Sequence, residues 1–350
     1  MKVSVVVPTF DRPRLLRRAV GSILGQDHGD LELLIVADGA GEDTLTVAEE
    51  ARRADPRVRV IRAARHGNPA LPRELGLRHA RGDAIAYCDD DDTWAPWHLS
   101  TLLAACDERN PVVVSGAAYQ TEDGVVLRRL AGRELTWHPE IATADPYTEP
   151  SRVLHLRGLP ERVGGWRDLG AGLEDWDLWW RMTRAGLCFT PVAQATATLT
   201  VAGTTRRGAV RCAFALPVAE TGDEASATEL AATLGRPSRR LHEALHADLD
   251  AWGAALSRDE RTVWPLGLEE ARGRSWTLAL AESATGPAEL VPVRLWERWY
   301  VGIPLWCADP HHARQAERIL RRRQARQIGA LGDLAEELAL KPITTTGGGP

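Results

Sequence analysis

Apolar residues near the start of the chain come in short blocks separated by amphipathic stretches. Val3-Ser4-Val5-Val6-Val7 is a nearly unbroken β-branched run, which predicts a strand buried on both faces. Pro8 ends it, Asp11 and Pro13 suit a helix start, and Leu15, Leu16, Ala19, Val20, Ile23 and Leu24 then recur at helical spacing. Residues 31–36 form a second buried strand, ended by Ala37-Asp38-Gly39-Ala40-Gly41, and a helix follows over about residues 42–54. A third strand at 58–62, a loop with Gly67, Asn68 and Pro69, and a helix near 71–81 lead through Gly82-Asp83 into an apolar run at 84–88. Strands alternating with helices of this length mean βαβ units and a parallel sheet, an α/β fold.

Farther on the pattern thins. A helix is expected at about 97–106 and strands at 112–118 and 125–130, the latter pair joined by a Glu122-Asp123-Gly124 turn. Residues 132–172 lack periodicity and read as a long irregular, mobile loop that contains His138 and His155. Glu174-Asp175 opens a helix with Leu178, Trp179 and Met182 at core spacing. Helical patterns return at about 229–256 and 313–340. Between them, residues 260–310 carry Trp264, Trp276, Trp296, Trp299 and Trp306 and one strand-like run at 290–295. The expected division is residues 1–205, a mainly helical region at 206–340 that offers a surface for a homodimer, and a disordered tail at 341–350.

Composition narrows the class. At 350 residues and 44% hydrophobic content, the chain can bury a large core and form more than one domain. A net charge of −5 argues against a nucleic-acid partner. The basic run at 318–326 reads as a solvated helix face. Five scattered cysteines suit a reducing compartment rather than a disulfide framework. No apolar run approaches the roughly 20 residues that cross a bilayer, and the first residues do not read as a signal peptide. A cytoplasmic protein is expected.

The candidate chemistry begins at Asp89-Asp90-Asp91-Asp92, directly after the apolar run at 84–88. Four adjacent carboxylates stay ionised together only if water or a cation compensates them. At the carboxyl end of a buried parallel strand, where open α/β sheets hold their ligands, a hard cation such as Mg²⁺ or Mn²⁺ fits, because these ions take carboxylate and phosphate oxygens. Pro8, Thr9, Asp11 and Asp38 follow the ends of the first two strands and fall on the same edge. No Gly-x-Gly-x-x-Gly follows the first strand, and no Gly-x-x-x-x-Gly-Lys-Ser/Thr occurs, so neither a dinucleotide fold nor a P-loop is expected. A nucleotide would be held by side chains and a metal.

Five segments together resemble family 2 glycosyltransferases, nucleotide-sugar enzymes of the GT-A fold. They are Val5-Val-Val-Pro-Thr-Phe-Asp-Arg12, Ser22-Ile-Leu-Gly-Gln26, Ile35-Val-Ala-Asp38-Gly39, Cys88-Asp-Asp-Asp-Asp-Thr-Trp94 and Leu173-Glu-Asp-Trp-Asp-Leu-Trp-Trp-Arg-Met182. The resemblance covers residues 1 to about 205. It implies a donor site for a nucleoside-diphosphate sugar, with UDP as the expected nucleotide, because Asp38 would accept the imide N–H of uracil or thymine. It implies Asp91 and Asp89 as metal ligands for Mn²⁺ or Mg²⁺, Asp90 toward the ribose, and Asp92 orienting the others. Asp175 would be the general base of an inverting displacement, with Glu174 in support.

Arg73 would face the nucleotide or pair with a nearby acid, and Trp94 would face the sugar or the core, with Trp97 packing its own helix. Ala37 and Glu74 depart from the family pattern, where another aspartate and an asparagine are usual. The acceptor is open: a carbohydrate, a peptide, a lipid-linked intermediate or a small natural product. The alternatives are a nucleotide-sugar-binding or scaffold protein without transfer activity, and a nucleotidyltransferase, although Pro8–Arg12 is not the glycine-rich basic loop that the latter carries.

Overall fold

The strand-and-helix alternation resolves into a sheet in which successive residues serve opposite cores. In the computed structural model, β1 (Val3–Thr9), β2 (Leu31–Asp38), β3 (Val58–Ala63) and β4 (Ala84–Tyr87) are parallel and ordered β3-β2-β1-β4. Val5, Val7, Leu33, Ile35 and Ala86 point into one apolar cluster, and Val6, Leu34, Val36, Ile85 and Tyr87 into the other. That period of two, with both sides buried, explains why the middles of β1, β2 and β4 are almost wholly apolar. The structure describes residues 1–169, 172–201, 214–236, 238–268, 289–295, 297–305, 307 and 309–339.

On one side of the sheet, α1 (Pro13–Leu24), α2 (Glu42–Ala54) and α4 (His98–Ala105) supply Leu16, Ile23, Val47 and Leu99. On the other, α3 (Ala70–His79), α5 (Pro139–Ala144), α6 (Leu159–Arg162) and α7 (Glu174–Arg184) supply Leu77, Ala142, Leu159, Leu178 and Trp179. Gly76 lets α3 lie directly on the sheet, since a Cβ there would meet a methyl of Val6 at 2.3 Å. Each fully buried branched side chain contributes roughly 1.5–3 kcal/mol, so the two clusters together hold the sheet edge rigid.

The second half of the sheet departs from the expected irregular loop. The sheet has nine strands and continues from β4 through β8 (Val153–Leu156), β6 (Val112–Gln120) and β9 (Thr190–Thr200) to β5 (Thr93–Trp94), with β7 (Val126–Leu130) paired to β6. Residues 132–172 therefore contribute a central strand: β8 lies antiparallel between β4 and β6. Its elements are three to six residues long, too short to show a period, and are fixed instead by buried Trp137, His138, Arg152 and Trp166. His155 sits in β8, fully buried and bonded to the Tyr87 hydroxyl at 3.1 Å, and His138 accepts the Glu140 amide at the start of α5. Both histidines are structural here.

The chain divides into two compact units, Met1–Arg211 with Asp259–Arg272, and Cys212–Arg258 with Gly273–Pro350. The return of residues 259–268 to the first unit, where Val263 bridges Trp137, has no signal in the sequence. The second unit contains β10 (Phe214–Thr221), α8 (Glu224–Leu234), α9 (Arg239–Leu256), β11 (Val291–Leu295), β12 (Arg298–Leu305), α10 (Pro310–Arg323) and α11 (Ala325–Ala339). Its strands form an antiparallel sheet in the order β10-β12-β11, of which only the run at 290–295 was expected. The basic stretch at 204–208, Trp276, Trp296, Trp306 and the tail at 341–350 lie outside the described residues. No helix among the described residues is long and apolar enough to cross a membrane.

Candidate active site

Because β2, β1 and β4 are neighbours running in parallel, the residues after their carboxyl ends share one edge. A cleft of about 260 Å³ opens there, lined by Pro8, Thr9 and Phe10 from the first strand end, Asp38 from the second, Arg65 and Asn68 after the third, and Asp89, Asp90 and Asp91 after the fourth. Pro8, Thr9, Asp38, Asp89, Asp90 and Asp91, singled out from the sequence, therefore meet in one place.

The acidic turn is held from three directions. The Thr9 hydroxyl donates to Asp90 at 2.7 Å, and Arg12 donates to Asp90 at 3.1 Å and to Asp91 at 2.7 Å. The Ser151 hydroxyl donates to Asp92 at 2.6 Å and accepts the Asp89 amide at 3.0 Å. From the end of β9, the Thr200 amide donates to Asp92 at 3.0 Å and its hydroxyl to the Asp91 carbonyl at 2.7 Å. Asp92 is thus buried beneath the turn and orients it. Ser151, Thr200 and Arg12 were not among the expected site residues; nothing in the spacing of two distant hydroxyl residues marks them.

This crowding raises the acids' proton affinity. Burial lifts the Asp90 carboxyl to about 6, against the pull of the Thr9 hydroxyl, and the Asp91 charge adds to the rise. Burial and then Asp89 raise Asp91, and burial with Asp91 and Asp89 raises Asp92 well above the carboxylate range. Excess negative charge of this kind is relieved by a cation. Asp89 commits one oxygen to Arg73, and Asp91 accepts from Arg12 and from its own amide. No group of three or more His, Cys, Asp or Glu side chains is arranged as a metal centre among the described residues. Two hard carboxylates on a cleft wall nonetheless match Mg²⁺ or Mn²⁺, which complete their shells with phosphate oxygens and water.

Asp38 is almost fully buried, with its oxygens already engaged. They accept the His66 amide at 2.8 Å, the His66 ring at 2.9 Å, the Gly67 amide at 3.1 Å and Arg65 at 2.5 Å. Burial alone would raise Asp38, but the His66 amide and ring, the Gly67 amide and Arg65 outweigh it and keep the carboxyl below its ordinary value.

Arg73 is buried, not on the surface. It donates to Asp89 at 2.5 Å and to Glu174 at 3.1 Å, with its guanidinium 4.8 Å from the Trp166 ring centre, while its Nε has no acceptor among the described residues. Burial disfavours its charge, but Asp89, then Glu174, and more weakly Asp175 reverse that and strengthen it. The second acidic motif is therefore coupled to the first. Chain entry into α7 is strained: Gly172 and Leu173 both have positive φ, +64° and +123°, and the Leu173 amide donates to Glu174 at 3.1 Å. Glu174 and Asp175 then stand in the first turn of α7, where free N–H groups and the helix dipole favour carboxylates.

Two expectations change, for Asp11 and Trp97, and the choice left open for Trp94 is settled. Asp11 adopts φ +47° and accepts the Gly41 amide at 2.7 Å, so it ties the first loop to the start of α2 rather than lining the cleft. Trp94 belongs to the core: it stacks on His98 with ring centres 4.3 Å apart and donates to the Ser151 carbonyl. Trp97, expected to pack, is 53% exposed. Three positions apart, the first ring is turned inward from β5 and the second outward at the start of α4.

Residues 4–163 match the family model for glycosyl transferase family 2. This stretch is a family 2 glycosyltransferase domain, and its sheet and helices form a GT-A-type fold. Among relatives, the chain is 32% identical over 145 residues to GalNAc(5)-diNAcBac-PP-undecaprenol beta-1,3-glucosyltransferase of Campylobacter jejuni, covering 41% of this chain and 47% of that one. It is 28% identical over 126 residues to the putative teichuronic acid biosynthesis glycosyltransferase TuaG of Bacillus subtilis, covering 36% and 50%. The chain thus spans half or less of the length of these relatives. Among solved structures, S. aureus TarS 1-349 in complex with UDP-GlcNAc aligns with a TM-score of 0.54 at 16% identity, over 97% of this chain and 92% of that one, which is a likeness of fold.

Proposed function

We propose that this protein is an inverting glycosyltransferase that moves a sugar from a nucleoside-diphosphate sugar, with UDP as the nucleotide, to an acceptor. The observation that carries the reading is the meeting of Thr9, Asp38 and Asp89–Asp91 in one cleft, joined through Arg73 to the acids that open α7. Asp38 and Phe10 would take the base, and the strand-end acids the diphosphate. The complex of the neighbouring TarS structure with UDP-GlcNAc and the glucosyltransferase name of the Campylobacter relative support a nucleotide-sugar donor.

Asp89 and Asp91 would hold Mn²⁺ or Mg²⁺, which supplies charge neutralisation for the departing diphosphate. Asp175 would remove the proton from the acceptor nucleophile as it attacks the anomeric carbon opposite the leaving group, so the centre inverts. Such a base must come within about 2.6–3.2 Å of that proton, directly or through one water. Glu174, tied to Arg73, fixes the turn from which Asp175 projects. Arg73 keeps Asp89 and Glu174 apart as charges while it holds them together in space.

The test is release of UDP from a panel of UDP-sugars with Mn²⁺ and a range of acceptors. Acceptor-stimulated release that is lost in Asp175→Asn supports the transferase. Nucleotide-sugar binding with no release from any donor favours a scaffold.

A further inference from the structure

Resting on the nucleotide-sugar reading, we propose that Arg65 occupies the nucleobase subsite of the ligand-free protein, and that a base bearing an imide N–H enters by displacing it. Phe10 stands at the end of β1, and the Arg65 guanidinium carbon lies 3.4 Å from the centre of its ring. From there Arg65 donates to Asp38 at 2.5 Å. A flat group stacked on an aromatic ring, with an N–H directed at a buried carboxylate, makes the same two contacts that uracil or thymine would make.

The other donors on Asp38 are built in. The His66 and Gly67 amides belong to the backbone, and the His66 ring is adjacent to them. Two side chains reach Asp38, the His66 ring at 31% exposed and Arg65 at 44%; Arg65 is the more exposed and the one that lies over Phe10, so it is the replaceable partner. Its backbone is fixed while its side chain can swing: Gly39, at φ +65°, has room for no Cβ because Arg65 lies 2.6 Å from that position. Asp38 is 3% exposed, and a carboxylate so placed must keep its donors. Arg65 keeps it paired in the absence of ligand, and an imide N–H substitutes one for one. Cytosine has no such N–H: its ring N3 is an acceptor and would face the Asp38 carboxylate with a lone pair, leaving only the exocyclic amino group as a donor.

The same arrangement makes Arg65 a competitor for the base. Apparent affinity falls by the fraction of protein in which the subsite is open, so removing the competitor tightens binding without adding a contact. A pyrophosphate has no base and gains nothing.

Calorimetric titration of the full chain with UDP, CDP and inorganic pyrophosphate, each with Mn²⁺, tests this in wild type, Arg65→Ala and Arg65→Lys. Arg65→Ala is expected to bind UDP about five- to tenfold tighter, with pyrophosphate affinity unchanged. Arg65→Lys, which keeps the charge but loses the flat face, moves the same way by less. Wild type should prefer UDP to CDP by about tenfold, the value of one donor to a buried carboxylate. UDP binding that weakens in Arg65→Ala, stays the same, or shifts in step with pyrophosphate overturns the proposal and makes Arg65 a ligand contact or a bystander. If wild type binds no nucleotide with Mn²⁺, the transferase reading itself falls; if wild type binds UDP and Arg65→Ala gains nothing, only the displacement fails.

Discussion

Arg73 donates to Glu174 at 3.1 Å across 101 positions of sequence, from a guanidinium that is 2% exposed. Its other nitrogen reaches Asp89, so one buried cation joins the acids after β4 to the acids that open α7. Removing it would strand two carboxylates around a cavity. Arg73→Met is therefore expected to cost about 3–5 kcal/mol, the usual loss when one partner of a buried ionic set is deleted. Chemical denaturation measures it, and a loss below about 1 kcal/mol would mean that water serves the two acids equally well.

The base assigned to Asp175 separates binding from turnover. Asp175→Asn keeps the size of the side chain and its place in the first turn of α7. UDP affinity should stay within about twofold, while kcat falls by about 10²–10⁴, the range for a lost general base. Steady-state kinetics beside calorimetry reads both; near-normal turnover removes Asp175 from the mechanism.

Neighbouring tryptophans give opposite predictions. Trp94 is 5% exposed and stacked on His98, so Trp94→Ala should cost about 3–5 kcal/mol. Trp97 is 53% exposed, and Trp97→Ala should stay within about 0.5 kcal/mol. Thermal unfolding of the two variants side by side checks the order.

His155 makes the fold acid-sensitive. Burial lowers its pKa to about 4, against the Leu156 carbonyl that pulls the other way, so it is neutral in the folded protein. The unfolded chain protonates near the ordinary value of about 6.5. Because the folded pKa is the lower one, stability is intact above about 6.5 and is lost as pH falls from there toward 4, by up to about 3 kcal/mol. His155→Gln should flatten the pH dependence of the unfolding free energy across that window, whatever its own packing cost. An unchanged slope would show that His155 does not govern it.

The first half of the sheet was legible because β1, β2 and β4 are buried on both faces and its helices are long enough to show their period. The strand ends then located Thr9, Asp38 and Asp89–Asp91, since parallel neighbours present their ends together. What escaped was carried by contacts without periodicity. Strand β8 is four residues long with a histidine inside it, and Ser151 and Thr200 reach the acidic turn from 59 and 108 positions away. Arg65 follows an edge strand and reads as a surface cation until its stacking on Phe10 is seen. Of the two tryptophans after the acidic run, the sequence leaves Trp94 open between sugar and core and has Trp97 packing, because two aromatic residues three positions apart carry no sign of which one the chain turns inward.

The central claim is that the acids after β4 recruit a cation that grips a diphosphate. Titration of UDP into wild type and Asp91→Ala, with Mn²⁺ and with chelator, tests it most directly. Wild type should bind at least about tenfold tighter with Mn²⁺ than with chelator, and Asp91→Ala should lose that difference. Equal affinity in all four titrations would contradict the account.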